Sequence, residues 1–439
     1  MHAPQRRHDY DVIVVGGGPG GAAVATTLAR RGRRVLVLER DVFPRFHIGE
    51  SQLPWSRELW RELGLDDALA CAGFVDKWGA TFITANGAVE QYADFASAAE
   101  TPQPQTYQVP RAEFDHLLLQ HAAASGAEVR QPAQAVDVTF DADGVTVRFL
   151  ADGTQLEARA AAIVDASGKA GFVARRRSER RFDAQLRNVA LHAQYEDVPR
   201  PSGRRAGDIR MVMRPDRGWF WFIPLSATVT SVGIVVPKEA HARSAGATLE
   251  QALADYLGET PTAAALTAHA RRVTPVRFDA DYSYCARRFA GDRWLLVGDA
   301  GAFLDPIFST GVFMAMQSGV DAADALDAAL ATGDLSERRF ARYDRATRRR
   351  WAHFRRFAVG FYDPAFRDLF FRPRGPFKTR EAVISVLAGN WRPGLATRLR
   401  IALFFGAVAL QRWIGFVPRL GDLDAAAAAP STRPASRAA

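Results

Sequence analysis

The sequence predicts an α/β (α+β) protein with a β-α-β unit at its start, an antiparallel sheet inserted behind it, and a helical region at its end. Three observations carry this. Residues 11–15 and 35–39 are apolar strands on either side of a helical segment. Residues 78–95 and 188–236 alternate with the period of half-buried strands. The chain beyond Leu335 has helical spacing rich in arginine and then in apolar residues.

The first unit is complete in itself. Its helix starts at Pro19, where proline's fixed φ suits a helix N-terminus, and closes at Gly32. Asn86-Gly87 breaks the 78–95 segment into a hairpin. A helix is expected over 111–125, strands over 145–149 and 154–161 around the turn Asp152-Gly153, and a short strand over 162–165. Within 188–236, turns are expected at 199–207 and 215–218. Residues 294–299 form another buried strand, followed by a helix over about 312–331.

Bulk composition fits a soluble globular chain of two or three domains, with 439 residues, 48% hydrophobic and 24% charged. It excludes a disordered or fibrous protein. Two cysteines, Cys71 and Cys285, lack metal-ligand or disulfide-framework spacing, so no metal is expected. Residues 1–9 are short and polar with no export signal, which points to the cytoplasm. The apolar run 401–410 is too short for a transmembrane segment and is expected to dock on the body rather than anchor at a membrane surface.

The formal charge is +9, and the cations are chosen unevenly: four lysines against fifty-three arginines. A basic chain can face nucleic acid, anionic lipid or an acidic protein, or present a solvated surface. No nucleic-acid module accompanies the arginines, so nucleic acid is not expected as a partner.

Gly16-Gly17-Gly18-Pro19-Gly20-Gly21 supplies G-x-G-x-x-G between the first strand and its helix. There Gly16, Gly18 and Gly21 let a pyrophosphate reach backbone N–H groups and the helix dipole. Glu39 ends the second strand, where its carboxylate can accept both ribose hydroxyls of an adenosine. These residues fit NAD or FAD. Val297-Gly298-Asp299-Ala300 resembles the flavoprotein pattern in which the aspartate binds the ribityl chain, which selects FAD. Asp165-Ala166-Ser167-Gly168 resembles the Asp-Gly motif of aromatic hydroxylases, with alanine in place of glycine, a departure that weakens nicotinamide binding.

Four further elements make the chain resemble the flavin-dependent halogenases over most of residues 9–420. The first is Phe43-Pro44-Arg45-Phe46-His47-Ile48-Gly49-Glu50-Ser51, similar to the family's loop along the flavin, although related reductases share it. The second is Gly218-Trp219-Phe220-Trp221-Phe222-Ile223-Pro224, which matches the W-x-W-x-I-P signature of the wall between flavin and substrate; otherwise it reads as a core strand. In a strand Trp219 and Trp221 share a face, so two indoles can screen flavin from substrate. The third is Lys77, in the position of the family's active-site lysine; the plain alternative is a surface lysine beside a hairpin. Only an amine can lose its proton and act as a nucleophile or oriented donor, and this chain writes nearly all its other cations as arginine. The fourth is Asp305-Pro306-Ile307-Phe308-Ser309-Thr310-Gly311-Val312, where the family's halide lies against the backbone of the Thr310-Gly311 pair.

The resemblance implies an FAD-binding Rossmann-like domain of the aromatic-hydroxylase type, with an inserted antiparallel-sheet substrate domain and a C-terminal helical region. Residues 9–77, 96–187 and 275–335 would bind FAD, 78–95 and 188–274 would form the substrate domain, 336–422 the helical region and 423–439 a disordered tail. The implied cofactor contacts are Gly16, Gly18, Gly21, Glu39, Arg40, Arg45, Ser51, Arg111, Asp299, Pro306 and Val312. Arg111 reads equally as a helix-start salt bridge. Lys77, Trp219 and Trp221 would be catalytic, with chloride or bromide at Thr310 and Gly311.

On this reading FADH2 from a separate flavin reductase reacts with O2, hypohalous acid forms, and Lys77 presents the halogen to an aromatic carbon. Phe308 stands where tryptophan halogenases have a glutamate, so a phenol or pyrrole is expected, free or tethered to an acyl or peptidyl carrier protein that the 338–356 arginines would suit. An FAD monooxygenase, a geranylgeranyl-reductase-like enzyme and a flavin-binding scaffold without turnover remain as alternatives.

Overall fold

The computed structural model describes residues 8–242, 246–372 and 374–421, without the side chains of 281 and 282; the expected tail 423–439 lies outside them. Two large sheets organise the chain. The first is eight-stranded and is centred on β1 (Tyr10–Val15), β2 (Val35–Leu38), β3 (Thr154–Asp165) and β4 (Trp294–Leu296). Val12↔Val35, Val14↔Val164 and Val164↔Leu295 register these strands in parallel, in the order β4-β3-β1-β2. All four residues of β2 and all three of β4 are buried, as expected of a parallel sheet covered on both faces.

Residues 154–161 and 162–165, expected as two strands, are one. The first half of β3 pairs antiparallel with Val145–Ala151 around the Asp152-Gly153 turn, and its second half runs parallel between β1 and β4. The change of partner, not a break in the chain, produces the change in hydrophobic pattern: exposed over residues 154–157, buried over 162–165.

Helix α1 (Pro19–Arg30) packs on this sheet and against α2 (Gly311–Thr332). The approach is close enough to require glycine: a Cβ on Gly319 would lie 2.5 Å from the Gly20 carbonyl oxygen. The carboxyl ends of β1, β3 and β4, together with the start of α2, converge, although they come from segments far apart in the sequence.

The second sheet is nine-stranded and antiparallel apart from one parallel pair. The expected hairpin around Asn86-Gly87 forms and pairs into this sheet through Gly79–Ile83. At its centre β5 (Trp219–Pro224) pairs with Val229–Pro237, which pairs in turn with the long strand Arg180–Glu196. That long strand begins eight residues before the expected 188, and its outer part pairs with Arg277–Ala286. Residues 277–286, read from sequence with the FAD-binding segments, therefore sit in the second sheet.

Two long helices cover the far side, α3 (Glu337–Phe361) and α4 (Leu395–Ile414). The arginines of α3 do not form one solvated face. Arg350 is 2% exposed, ion-paired with Asp321 and stacked over Trp391, and Arg348 bonds the carbonyls of Ala286 and Arg287. One face of α4 docks through Ile401, Phe404 and Val408, while Leu399, Leu403 and Trp413 stay exposed. Among the described residues no helix is long and apolar enough to cross a membrane.

Candidate active site

The glycines after β1 divide their work. Gly16 has φ +105°, and a Cβ there would meet the Ala166 carbonyl oxygen at 2.4 Å; one on Gly21 would meet Gly16 O at 1.9 Å. Both are required by close backbone packing. Gly18 is less confined, a Cβ there making only ordinary contact with an Arg45 guanidinium nitrogen at 3.6 Å. Glu39, 5% exposed, is held beside this turn, accepting from Gly17 N at 2.6 Å and Asp41 N at 2.9 Å. Arg40 is exposed and pairs with Asp41 at 3.4 Å, so the structure does not bring it into this cluster. The Asp165 carboxylate accepts from Ser167, Val173 and Ala174 backbone N–H groups and from the Ser167 hydroxyl, so it serves its own loop.

Arg45 and Arg111 meet on one buried carboxylate. Asp115, fully buried, accepts from Arg45 at 3.0 Å and from two Arg111 nitrogens at 2.7 and 2.9 Å. Arg111 thus forms the helix-start ion pair, and it also donates to the Ile48 carbonyl at 2.5 Å, tying the 43–51 loop to the helix Arg111–Ala124.

Asp299 lies in the turn between β4 and α2, half-buried, its carbonyl accepting from Tyr284. The segment that follows is held by Asp305, 1% exposed, whose carboxylate accepts from Ile307 N, Asn188 and the Tyr362 hydroxyl. Pro306–Phe308 makes a single 3-10 turn, Ser309 adopts φ +55°, and α2 begins at Gly311. Thr310 is 1% exposed, and its hydroxyl has no hydrogen-bond partner. A Cβ on Gly311 would meet nothing within 4 Å, and Val312 beside it is buried. Unfilled space, an orphan hydroxyl and the N-terminus of a 22-residue helix make a place for an anionic or electron-rich group.

Lys77 ends the strand Val75–Lys77 and is 2% exposed. Its Nζ donates to Ser51 Oγ and to the Gln52 carbonyl, both at 2.8 Å, and lies 5.2 Å from the centre of the Phe95 ring. Burial pulls its pKa down to about 7, against the opposing charge of Asp208.

Trp219 and Trp221 share a face of β5, 2% and 5% exposed, with ring centroids 6.0 Å apart. They pack in one core while Phe220 and Phe222 pack in another, which explains an aromatic strand without an exposed side. The Trp221 indole donates to Ser231 at 3.1 Å, and the Trp219 indole donates to Tyr362 at 2.9 Å.

Two functional candidates were missed in the sequence. Glu50 is 2% exposed, bonded to Ser231, with Oε2 unpartnered; burial pushes its pKa up to about 7. It lies inside the loop motif already singled out, and its position one residue before Ser51 was the available signal. Tyr362 joins Trp219 to Asp305. It follows an arginine-rich helix and carries no local signature.

The glycine turn, the buried Glu39 and the open space beside Gly311 fit a dinucleotide laid from β1 to the start of α2. Residues 9–358 match the family profile described as FAD binding domain, so this is an FAD-binding protein. Over 359 residues it is 33% identical to the 1H-pyrrole-2-carbonyl-(peptidyl-carrier protein) chlorinase of Pseudomonas fluorescens, covering 77% of this chain and 80% of that one. It is 32% identical over 330 residues to the corresponding brominase of Pseudoalteromonas luteoviolacea, covering 74% and 79%. The solved structure of the myxobacterial chondrochloren halogenase CndH superposes with a TM-score of 0.76 at 37% identity, covering 90% of this chain and 97% of that one. The chain belongs to the flavin-dependent halogenases, FAD-dependent oxidoreductases that use a halide.

Proposed function

We propose that this protein halogenates an electron-rich aromatic, a phenol or a pyrrole delivered on a carrier protein, in the cytoplasm, with FADH2 supplied by a separate flavin reductase. The observation that carries this reading is the burial of Lys77, the one lysine of the four that is buried, whose hydrogen-bond partners are Ser51 and Gln52. The tethered pyrrole is supported by two relatives whose names specify a pyrrole on a peptidyl carrier protein. Phe308, which packs edge-on against Phe361 where a carboxylate would assist a less reactive ring, is consistent with an activated aromatic.

Bound FAD supplies the redox chemistry that turns O2 and halide into an electrophilic halogen. Gly16, Gly18, Gly21 and Glu39 would hold its dinucleotide end; Arg45, Ser51, Arg111, Asp299, Pro306 and Val312 would line the remainder. Backbone N–H groups at Thr310 and Gly311, at a helix N-terminus, would hold chloride or bromide. Trp219 and Trp221 would keep the aromatic away from the flavin. Near neutral pH the buried Lys77 exists partly as free amine. It can donate a hydrogen bond to hypohalous acid, or displace water from it to form an N–halogen bond that the aromatic carbon then breaks, with loss of a ring proton. Confinement in a buried site favours transfer to one carbon.

The test supplies the protein with FAD, a flavin reductase, each halide, and a panel of phenols and pyrroles, free and carrier-bound, with mass-spectrometric detection. Halide-dependent halogenated product that disappears in Lys77→Ala, with flavin retained, is expected. Oxygenated product formed without halide would instead identify a monooxygenase.

A further inference from the structure

Between α3 and α4, beside the turn that leads into β5, lies a cleft of about 590 Å³. Four arginines line it, Arg217, Arg355, Arg356 and Arg412, and the site just described uses none of them. Arg355 is neutralised by Asp183 and Arg412 by Asp363. Among the described residues no carboxylate pairs with Arg217 or Arg356. Each instead lies against a ring of the cleft, Arg217 over Tyr362 at 5.6 Å and Arg356 over Phe405 at 3.7 Å. A guanidinium stacked this way keeps its N–H edge available for a phosphate or carboxylate.

A second observation is independent of charge. Arg217 has φ +67°, the left-handed region where glycine or asparagine sits with least strain. It is held there by Asp216, whose carboxylate accepts from Gly218 N and pairs with Arg214. Strain of this kind persists only where the surroundings impose it. Here it sets an unpaired cation at the cleft two residues before Trp219.

The cleft also abuts the reaction site. Tyr362 lines it, and the Tyr362 hydroxyl accepts from the Trp219 indole and donates to Asp305, which shapes the 306–311 loop. An anion held by Arg217 and Arg356 is therefore one side chain away from the indole wall.

We propose that this cleft binds the phosphate of a phosphopantetheine arm, the group on which a carrier protein presents an acyl substrate. The assignment rests on the tethered-substrate reading above and adds to it the place where the arm is gripped. A free aromatic acid could offer a carboxylate to the same arginines, so the experiment separates the two sources.

Calorimetric titration of the FAD-loaded protein with 4′-phosphopantetheine, pantetheine, inorganic phosphate and pyrrole-2-carboxylate is the test. The phosphorylated arm is expected to bind roughly tenfold or more tightly than pantetheine or phosphate alone, and to lose that margin in the Arg217→Gly/Arg356→Ala variant. Arg217→Gly alone is expected to keep or raise the melting temperature, because glycine relieves the backbone, while weakening the arm. Equal binding of pantetheine, equal binding of bare phosphate, absence of arm binding, or full affinity in the double variant would each overturn the proposal. Arginine-dependent binding of pyrrole-2-carboxylate in preference to the arm would overturn it in favour of a free acid. Halogenation of free phenols by the double variant separates the two readings: if it continues while the arm fails to bind the parent, only the cleft assignment falls.

Discussion

Lys77 Nζ donates to Ser51 Oγ at 2.8 Å, which anchors the buried amine to the residue that follows Glu50. Two buried ionisable groups of opposite type, Lys77 and Glu50, each have a pKa moved to about 7, one down from 10.5 and the other up from 4.5. Both shifts come chiefly from burial, and they give opposite signs of pH dependence.

Between pH 7 and 10.5 the unfolded chain holds a proton on Lys77 that the folded chain has released, so this group's contribution to stability rises with pH across that window. Its burial costs most below pH 7. The melting temperature of Lys77→Met relative to the parent is expected to be most favourable below neutrality and to fall as pH approaches 10.5. A difference that does not change with pH would show that the ammonium is hydrated.

For Glu50 the folded chain keeps a proton between pH 4.5 and 7 that the unfolded chain has lost, so stability falls as pH rises through that window. Glu50→Gln is neutral at every pH. Its gain over the parent at pH 8, compared with pH 4, is expected to be on the order of 3 kcal/mol by urea unfolding. A parallel pair of stability curves would contradict a buried carboxyl.

Removal of the Tyr362 hydroxyl leaves the Trp219 indole without its acceptor and takes a donor from Asp305. Tyr362→Phe is expected to cost about 1–3 kcal/mol of stability. Because Asp305 holds Ile307 N, the apparent KM for halide should rise more than kcat falls. Unchanged unfolding and unchanged halide saturation would remove Tyr362 from the site.

Gly311→Ala and Gly21→Ala should behave oppositely. Space around Gly311, the first residue of α2, lets the fold accept a methyl group with stability nearly unchanged, while the methyl group enters the proposed halide position and raises halide KM roughly tenfold. At Gly21 the Cβ would stand 1.9 Å from the Gly16 carbonyl oxygen, so the variant should lose both FAD and cooperative unfolding. Calorimetry and halide titration of the pair check this.

Features set by residues near one another were legible in the sequence. The β-α-β unit, the Asn86-Gly87 hairpin and the shared face of Trp219 and Trp221 depend on local periods and turn chemistry, and each appears as expected. Lys77 was marked by its place in the halogenase resemblance, with a surface lysine as the alternative, and the structure buries it. Features set by distant partners were not legible. Residues 154–165 read as two strands because the pattern changes where the neighbour changes. The partners of Arg350 were not legible because nothing local announces Asp321 and Trp391. Glu50 and Tyr362 acquire their roles only where Ser231, Trp219 and Asp305 come together.

Because β4 completes the parallel core next to β3, the two ends of the proposed cofactor cradle are translated far apart. No amino-terminal fragment ending before Leu296 contains a finished nucleotide fold. A growing polypeptide must therefore wait until that strand has left the ribosome before it can take up coenzyme. Yellow colour then reports on the wholeness of the polypeptide, and lesions remote from the ring system can reveal themselves first as pallor.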